Sequence, residues 1–548
     1  MTALMTDTDL ATAEQRTWAK WQIYLGLFGF GLGIVMGLLQ AMERLGLDLY
    51  DEFQLQSYYQ GLTLHGVAMA IVFTFTFANG FLILTSMRGY GRPMASTGLV
   101  RGSFGLALAG VALAASAILV NQATVLYTFY PPLQAASVFY IGATLLILST
   151  WVTLLNQLLT LKAWKAEHPG ERIPLLSFVS LLTFLMWGVA SVGMAVEVVV
   201  FILPWSFGWV QGTDPLLNRT LFWFTGHPIV YFWLLPAYVS WYMMIPKQVG
   251  GRLFSDRVVR AVFILFLLLS TPVGLHHQFT DPGIDEGLKF LHMAFTFAVF
   301  FPSMVTAFTI IGAMEDGAKR RGGTGILRWI GKLPWREPSF VAQVLAMCAF
   351  ALGGASGLVN ASGPVNQVVH NTSFIPGHFH LTVGTAVALT FMGISYWLIP
   401  HLTGKKLWSA KVAVVQAWLW FLGVLTFSRG LMGAGIEGQP RRVPAGSLAY
   451  ALDSWHLYDL MTGIGGTVMF VSGVLFFVVI LRTLASKVTG EVYEMPLSET
   501  MHGDEGSPAI LDRVGLWVIV AVVLIAIAYV PVFLNHAYQF KSPGFSLF

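Results

Sequence analysis

Along this chain, apolar stretches of roughly 20 to 28 residues return about thirteen times, each long enough to cross the hydrocarbon core of a bilayer as one helix. They lie near 22–43, 59–86, 97–120, 134–160, 174–203, 219–246, 258–279, 288–314, 339–359, 374–400, 410–435, 455–481 and 513–536. Of the 548 residues, 56% are hydrophobic and only 11% charged, and a soluble domain of that length could not hide so much apolar surface. No soluble domain, low-complexity tract or short-period repeat divides the chain, so residues 1–548 are expected to form a single membrane domain. The fold expected is all-α, a polytopic bundle in the lipid bilayer.

Lys and Arg are retained on the cytoplasmic side during insertion, and here they alternate cleanly between loops. With the N-terminus cytoplasmic, the inner loops hold Arg88, Arg92 and Arg101; Lys162, Lys165 and Arg172; Lys247, Arg252, Arg257 and Arg260; the run from Lys319 to Arg336; Lys405, Lys406 and Lys411; and Arg482, Lys487 and Arg513. About seven of the 31 basic residues are left outside. Among them Arg441 and Arg442 are adjacent, and a misplaced pair of arginines points to a bound anion. The net charge of +4 is thus mostly a topology signal and does not point to nucleic acid. The first twenty residues mix charges (Asp7, Asp9, Glu14, Arg16, Lys20) without a basic start, short apolar core and small-residue cleavage site, so no cleaved signal peptide is expected. The single cysteine, Cys348, permits no internal disulfide and no multi-thiolate metal site, which leaves imidazole and oxygen as metal ligands.

That topology places six histidines at one depth. His65 lies in the second segment, His227 in the sixth, and His378 and His380 in the tenth, all near the outer ends, while His276 and His277 close the outward-running seventh. At 1.5 Å per residue they share a slab very roughly 5 to 12 Å below the outer hydrocarbon boundary. A single histidine there is as readily an interhelical hydrogen-bond partner as a ligand. Six at one depth would cost several kcal/mol unless each had a partner, and a metal is the partner that takes several. A transporter whose histidines relay a metal would instead spread polar residues through the full membrane thickness around broken helices.

Spacing sorts them. Residues two apart on a helix diverge by about 200°, so His378 and His380 in Gly-His-Phe-His must serve two sites on opposite sides of one helix. His276 and His277 normally diverge by about 100°, but Pro272 removes a backbone hydrogen bond and Gly274 loosens the turn, so a distorted helix end can aim both at one ion. His227 and Tyr231 in Gly-His-Pro-Ile-Val-Tyr are four apart and share a face.

One His on segment 2, His-Pro-x-x-Tyr on segment 6, His-His on segment 7 and Gly-His-x-His on segment 10 together resemble subunit I of the haem-copper oxygen reductases. The strings Tyr-Tyr-Gln-Gly-Leu-Thr-Leu-His-Gly and Val-Val-His-Asn-Thr look like the B-type branch, which includes thermophile cytochrome c oxidases. The resemblance implies that His65 and His380 are axial ligands of a low-spin haem (type B or A), and His378 the proximal ligand of a high-spin haem (type A, O or B). It implies that His227, His276 and His277 hold copper, CuB, and that Tyr231 is the tyrosine linked covalently to His227, supplying an electron and a proton as the O–O bond breaks. Arg441 and Arg442 match the arginines that bind haem propionates, with His370 nearby.

The resemblance also bears on protons. Ile229 stands where the A-type branch commonly has a glutamate, so that input is absent, while Tyr238, Tyr242, Ser303 and Thr306 match the single inward path of the B-type. Asn366 stands where close relatives often carry an acid. Glu197, deep in segment 5, is an intramembrane carboxylate with no partner evident in the sequence. The function implied is the catalytic subunit of a respiratory terminal oxidase that reduces oxygen to water, coupled to proton uptake and pumping, in the plasma membrane of a bacterium. Its partners would be cytochrome c, a subunit II carrying CuA, and a small accessory membrane subunit. A quinol-fed oxidase shares these features; a nitric oxide reductase of the same superfamily generally uses non-haem iron with nearby glutamates and lacks the tyrosine.

Overall fold

The structure is a computed structural model that describes residues 7–444, 447–448, 450–503 and 505–539. In chain order its long helices are α1 (Asp7–Arg44), α2 (Tyr58–Tyr90), α3 (Thr97–Leu119), α4 (Ser137–Glu167), α5 (Leu175–Ser206), α6 (Pro215–Gln248), α7 (Asp256–Leu269), α8 (Glu286–Arg320), α9 (Pro338–Ala361), α10 (Phe374–Thr403), α11 (Ala410–Ile436), α12 (Trp455–Ala485) and α13 (Val514–Gln539). Among the described residues, twelve of these are long and apolar enough to cross a membrane, and α7 is the exception. It ends after 14 residues, because Pro272 offers no N–H, and the chain continues into a 3-10 turn at Gly274–Gln278. Arg260 near the start of α7 donates to the Ile173 carbonyl just before α5 at 2.7 Å, whereas His277 stacks on Trp223 near the start of α6, at the other end of the bundle. Helix and turn together therefore run the length of the bundle, and they complete the thirteen crossings implied by the sequence.

Local signals start these helices. The Ser57 side chain caps α2 by accepting from the Gln60 N–H, Ser409 caps α11, and Asp285 caps α8. Asp214 accepts from the N–H groups of Leu216 and Leu217, with Pro215 in the first turn of α6. Several helices outrun their apolar windows; α1 begins at Asp7 because its polar first turns simply continue the helix beyond the hydrocarbon layer.

Helix α6 runs through the centre, buried almost throughout, flanked by α2 and α10, while α13 lies on the rim. Small residues bring neighbours close: a Cβ on Gly142 of α4 would lie 2.7 Å from the Gly110 carbonyl of α3. Three helices widen into π-turns, at Ala68–Phe73, Glu197–Ile202 and Thr382–Val387. Two of these follow His65 and His380 almost directly, where a local change of helical phase re-aims side chains. On the inner side, strands β1 (Leu253–Ser255) and β2 (Thr500–His502) pair in parallel as the one sheet among the described residues.

Candidate active site

Two cavities flank α10. His378 lines the first and His380 the second, and Phe379 between them lines both. The two-site arrangement expected from Gly-His-Phe-His is what α10 presents.

In the first cavity, α6 supplies His227 and the turn after α7 supplies His276 and His277. One ring nitrogen from each lies within 4.8 Å of the others. His227 Nδ1 and His277 Nε2 are 3.2 Å apart, close to the spacing of two nitrogens that share one ion at about 2.0–2.1 Å. His276 Nδ1 hydrogen-bonds the Thr296 hydroxyl at 2.9 Å, which leaves Nε2 for a metal. Trp223, one turn before His227, stacks on His277 with ring centres 3.7 Å apart and fixes that plane. His227 Nε2 is buried without a partner, and the Tyr231 ring centre lies 5.1 Å away. His378 enters the same cavity from α10, its Nδ1 bonded to Ser356 Oγ at 2.9 Å. Among the described residues, the lining contains no carboxylate.

In the second cavity His65 and His380 face one another across the space, ring planes 11° from parallel and centres 6.2 Å apart. Each Nδ1 is committed to a backbone carbonyl: His65 donates to Gly33 at 2.8 Å and His380 to Pro376 at 2.7 Å. Each Nε2 is thereby free, and the gap accommodates one metal ion between them with bonds of about 2 Å.

The cavities meet at Arg441, which lines both; Arg442 lines the second. Arg442 takes a left-handed backbone (φ 61°), unusual for a bulky residue, and lies over the rings of Tyr127 and Tyr130. Neither arginine has a carboxylate partner among the described residues, and Arg441 Nε is buried without an acceptor. Burial, then the adjacent Arg442, lowers the Arg441 guanidinium to about 9. His370 bonds Asn366 Oδ1 at 3.1 Å; burial and then Arg441 and Arg219 hold its imidazole down to about 4. Such a rim suits an anionic group lodged between the cavities.

Below the first cavity the hydroxyls expected on an inward path come together in pairs. Tyr238 donates to Ser303 at 3.1 Å and Tyr242 to Thr306 at 2.8 Å, and Ser303 itself lines the cavity beside Tyr231. Glu197 lies elsewhere: it is fully buried at the start of the α5 π-turn, both oxygens without a hydrogen-bond partner, and lines neither cavity. Sequence reasoning missed Ser356, Thr296 and Arg44, the last of which lines the second cavity from α1. Trp223 was within reach, being four residues from His227 on the same helix face.

A family model described as cytochrome c and quinol oxidase polypeptide I matches residues 17–468. The chain belongs to this family. It is the catalytic subunit of a terminal oxidase and a multi-pass membrane protein. This oxidase subunit is 45% identical to cytochrome c oxidase subunit 1 of Thermus thermophilus over 522 residues, 93% of this chain and 92% of that protein. It is 31% identical to cytochrome c oxidase polypeptide 1 of Halobacterium salinarum, over 43% of this chain and 37% of that one. A solved haem-copper terminal oxidase dimer shares its fold with a TM-score of 0.87 at 33% identity, covering 99% of this chain and 96% of that chain. The residues present fit what this family implies: convergent imidazoles for copper, opposed imidazoles for an iron, and unpaired arginines for propionates.

Proposed function

We propose that this oxidase subunit reduces oxygen to water in the first cavity, with electrons from cytochrome c outside and protons from inside, pumping further protons across a bacterial plasma membrane. The observation that carries the reading is the convergence of His227, His276 and His277 on a cavity that His378 of α10 also lines. His227, His276 and His277 would hold CuB and His378 a high-spin haem of type A, O or B, while His65 and His380 would hold a low-spin haem of type B or A. When bound, these groups supply the electrons and an open coordination position for oxygen.

The chain's own residues do the rest. Thr296, Ser356 and the carbonyls of Gly33 and Pro376 fix the tautomer and plane of the ligating rings. Tyr231 can release an electron and a proton next to the copper ligands. Arg441, Arg442 and His370 would bind propionates, and Arg44 lies against the same cavity wall. Tyr238–Ser303 and Tyr242–Thr306 would pass protons from the inner face towards Tyr231. Among the described residues no carboxylate lines the cavity of the proposed copper ligands, which favours copper over the iron of a nitric oxide reductase. Asn366 offers no carboxylate near the propionates on which to store a proton. The B-type branch is supported by Ile229 and by the paired hydroxyls, and the missing cysteines require a second subunit carrying CuA, with a small accessory subunit as a further expected partner.

A reduced-minus-oxidised optical spectrum, repeated with carbon monoxide and with iron and copper quantified, tests this. Two haems, one of them binding carbon monoxide, with copper at the core site, would support it and read out the haem types. Two six-coordinate haems, or iron in place of copper, would overturn it. Turnover with reduced cytochrome c against a quinol decides the donor.

A further inference from the structure

We propose that the last helix, α13, sets the geometry of the copper-side histidines, with Tyr529 and His292 as positioning residues; this rests on the copper assignment above. The family match ends at residue 468, so α13 lies wholly beyond the residues it covers.

The segment that presents His276 and His277 leaves the α-helical ladder for a 3-10 turn, in which His276 N–H donates to the Val273 carbonyl at 3.3 Å. The Gly274 N–H is accepted by Tyr529 Oη at 3.2 Å, and the next N–H, of Leu275, by His292 Nδ1 at 3.4 Å. Two successive backbone donors immediately before His276 are thus held by side chains of α13 and α8. The other nitrogen of His292, Nε2, donates to the Ala528 carbonyl of α13 at 3.1 Å, which fixes its tautomer and ties α8 to α13. The His292 ring meets Tyr529 edge-on, centres 4.8 Å apart, and both residues are buried.

The same assembly reaches the metal-facing ring. Thr296 donates to the His292 carbonyl at 2.7 Å and accepts from His276 Nδ1 at 2.9 Å. Tyr529 also packs on Phe224, three residues before His227, with ring centres 4.6 Å apart. One helix therefore contacts the supports of all three copper ligands. Gly274 is what permits the approach, since a Cβ there would lie 2.1 Å from the Trp223 carbonyl and 2.3 Å from Tyr529 Oη. Packing alone would be served by Phe and Leu at positions 529 and 292. A buried phenol and imidazole are costly unless their polar atoms have partners, and here Tyr529 Oη and His292 Nδ1 accept from the backbone just before the copper ligands while His292 Nε2 donates to Ala528.

The test uses the whole oxidase with its partner subunits, carrying Tyr529→Phe or His292→Asn, with Val518→Ala as a control that alters α13 packing against the core eleven residues from Tyr529. Low-temperature photolysis transfers carbon monoxide from the high-spin haem to copper, and its infrared stretch reports the copper–imidazole geometry. We expect Y529F and H292N to retain both haems, to shift and broaden that band, and to hold copper about tenfold or more weakly against a chelator. Val518→Ala should leave the band in place. If the wild-type oxidase itself shows no copper-bound carbon monoxide band, the copper assignment has failed. If the wild-type band is present and both variants reproduce its position, its width and the copper retention, α13 is packing only and the inference is overturned. Should Y529F fail to assemble, H292N decides alone by the same band.

Discussion

Tyr231 stands one helical turn from His227, with ring centres 5.1 Å apart at 61°, and the Nε2 of His227 is buried without a hydrogen-bond partner. The Nδ1 of the same ring lies 3.2 Å from His277 Nε2, so under the proposed copper assignment one nitrogen of His227 would face the metal and the other would be free for the tyrosine. Oxidative turnover should therefore join the two side chains. Mass spectrometry of the peptide containing both is expected to show a loss of two hydrogens, and Tyr231→Phe should abolish it. That variant should keep both haems and copper while oxygen reduction falls by about 100-fold or more, since a positioned proton donor is removed from the bond-breaking step. Finding the full-mass peptide in active enzyme would contradict the role given to Tyr231.

The two cavities make a second expectation separable. His65 and His380 converge on one, His378 on the other. Exchange of His65 for Leu should remove the low-spin absorbance and leave carbon monoxide binding to the remaining haem. Exchange of His378 for Leu should do the reverse. Loss of both signals from either variant would show that the helices do not hold the two groups independently.

Much of this was legible in the sequence for a specific reason. Six imidazoles at one membrane depth are chemically rare, and a period of 3.6 residues assigns them to faces without any tertiary information. Pro272 likewise announced the break after Leu269, where helix gives way to a turn. Ser356 and Thr296 escaped notice because hydroxyls are common glue in membrane helices and their partners sit 22 and 20 residues away on other elements. The role inferred for α13 was invisible because an apolar rim helix reads as one more span, and only the contacts of Tyr529 distinguish it.

Proton delivery gives a third test. Tyr242 donates to Thr306 at 2.8 Å and Tyr238 to Ser303 at 3.1 Å, one pair above the other between α6 and α8. Removing a single hydroxyl breaks the relay without disturbing any haem ligand. Tyr242→Phe and Thr306→Val should slow proton uptake and steady-state turnover by roughly tenfold to a hundredfold, with optical spectra unchanged. Time-resolved reaction of the fully reduced enzyme with oxygen, followed with a pH dye, reads uptake directly. Wild-type uptake rates in both variants would move the path elsewhere.

The inner end of the bundle makes a stability prediction that should leave the chemistry untouched. The Arg260 side chain, 2% exposed, pairs with Asp256 at 2.6 Å and with Asp512 at 3.2 Å, and Asp512 also pairs with Lys165 at 3.0 Å. This cluster joins α4, α7 and the segment leading into α13. Asp512→Ala leaves the guanidinium still paired with Asp256, so the loss should be about 1.5–3 kcal/mol, the scale of a hydrogen bond to a charged group. Removing Asp256 as well strands a buried cation, and the pair of changes should cost more than the sum of the two alone, by about 1–3 kcal/mol. Replacing Arg260 itself with Met in that double variant should recover most of the loss, because no charge is then left unpaired. Thermal unfolding of the purified complex, followed by the haem spectrum, measures all of this. Additive losses would show that water reaches Arg260, and a spectrum altered before unfolding would show that the cluster is coupled to the haems.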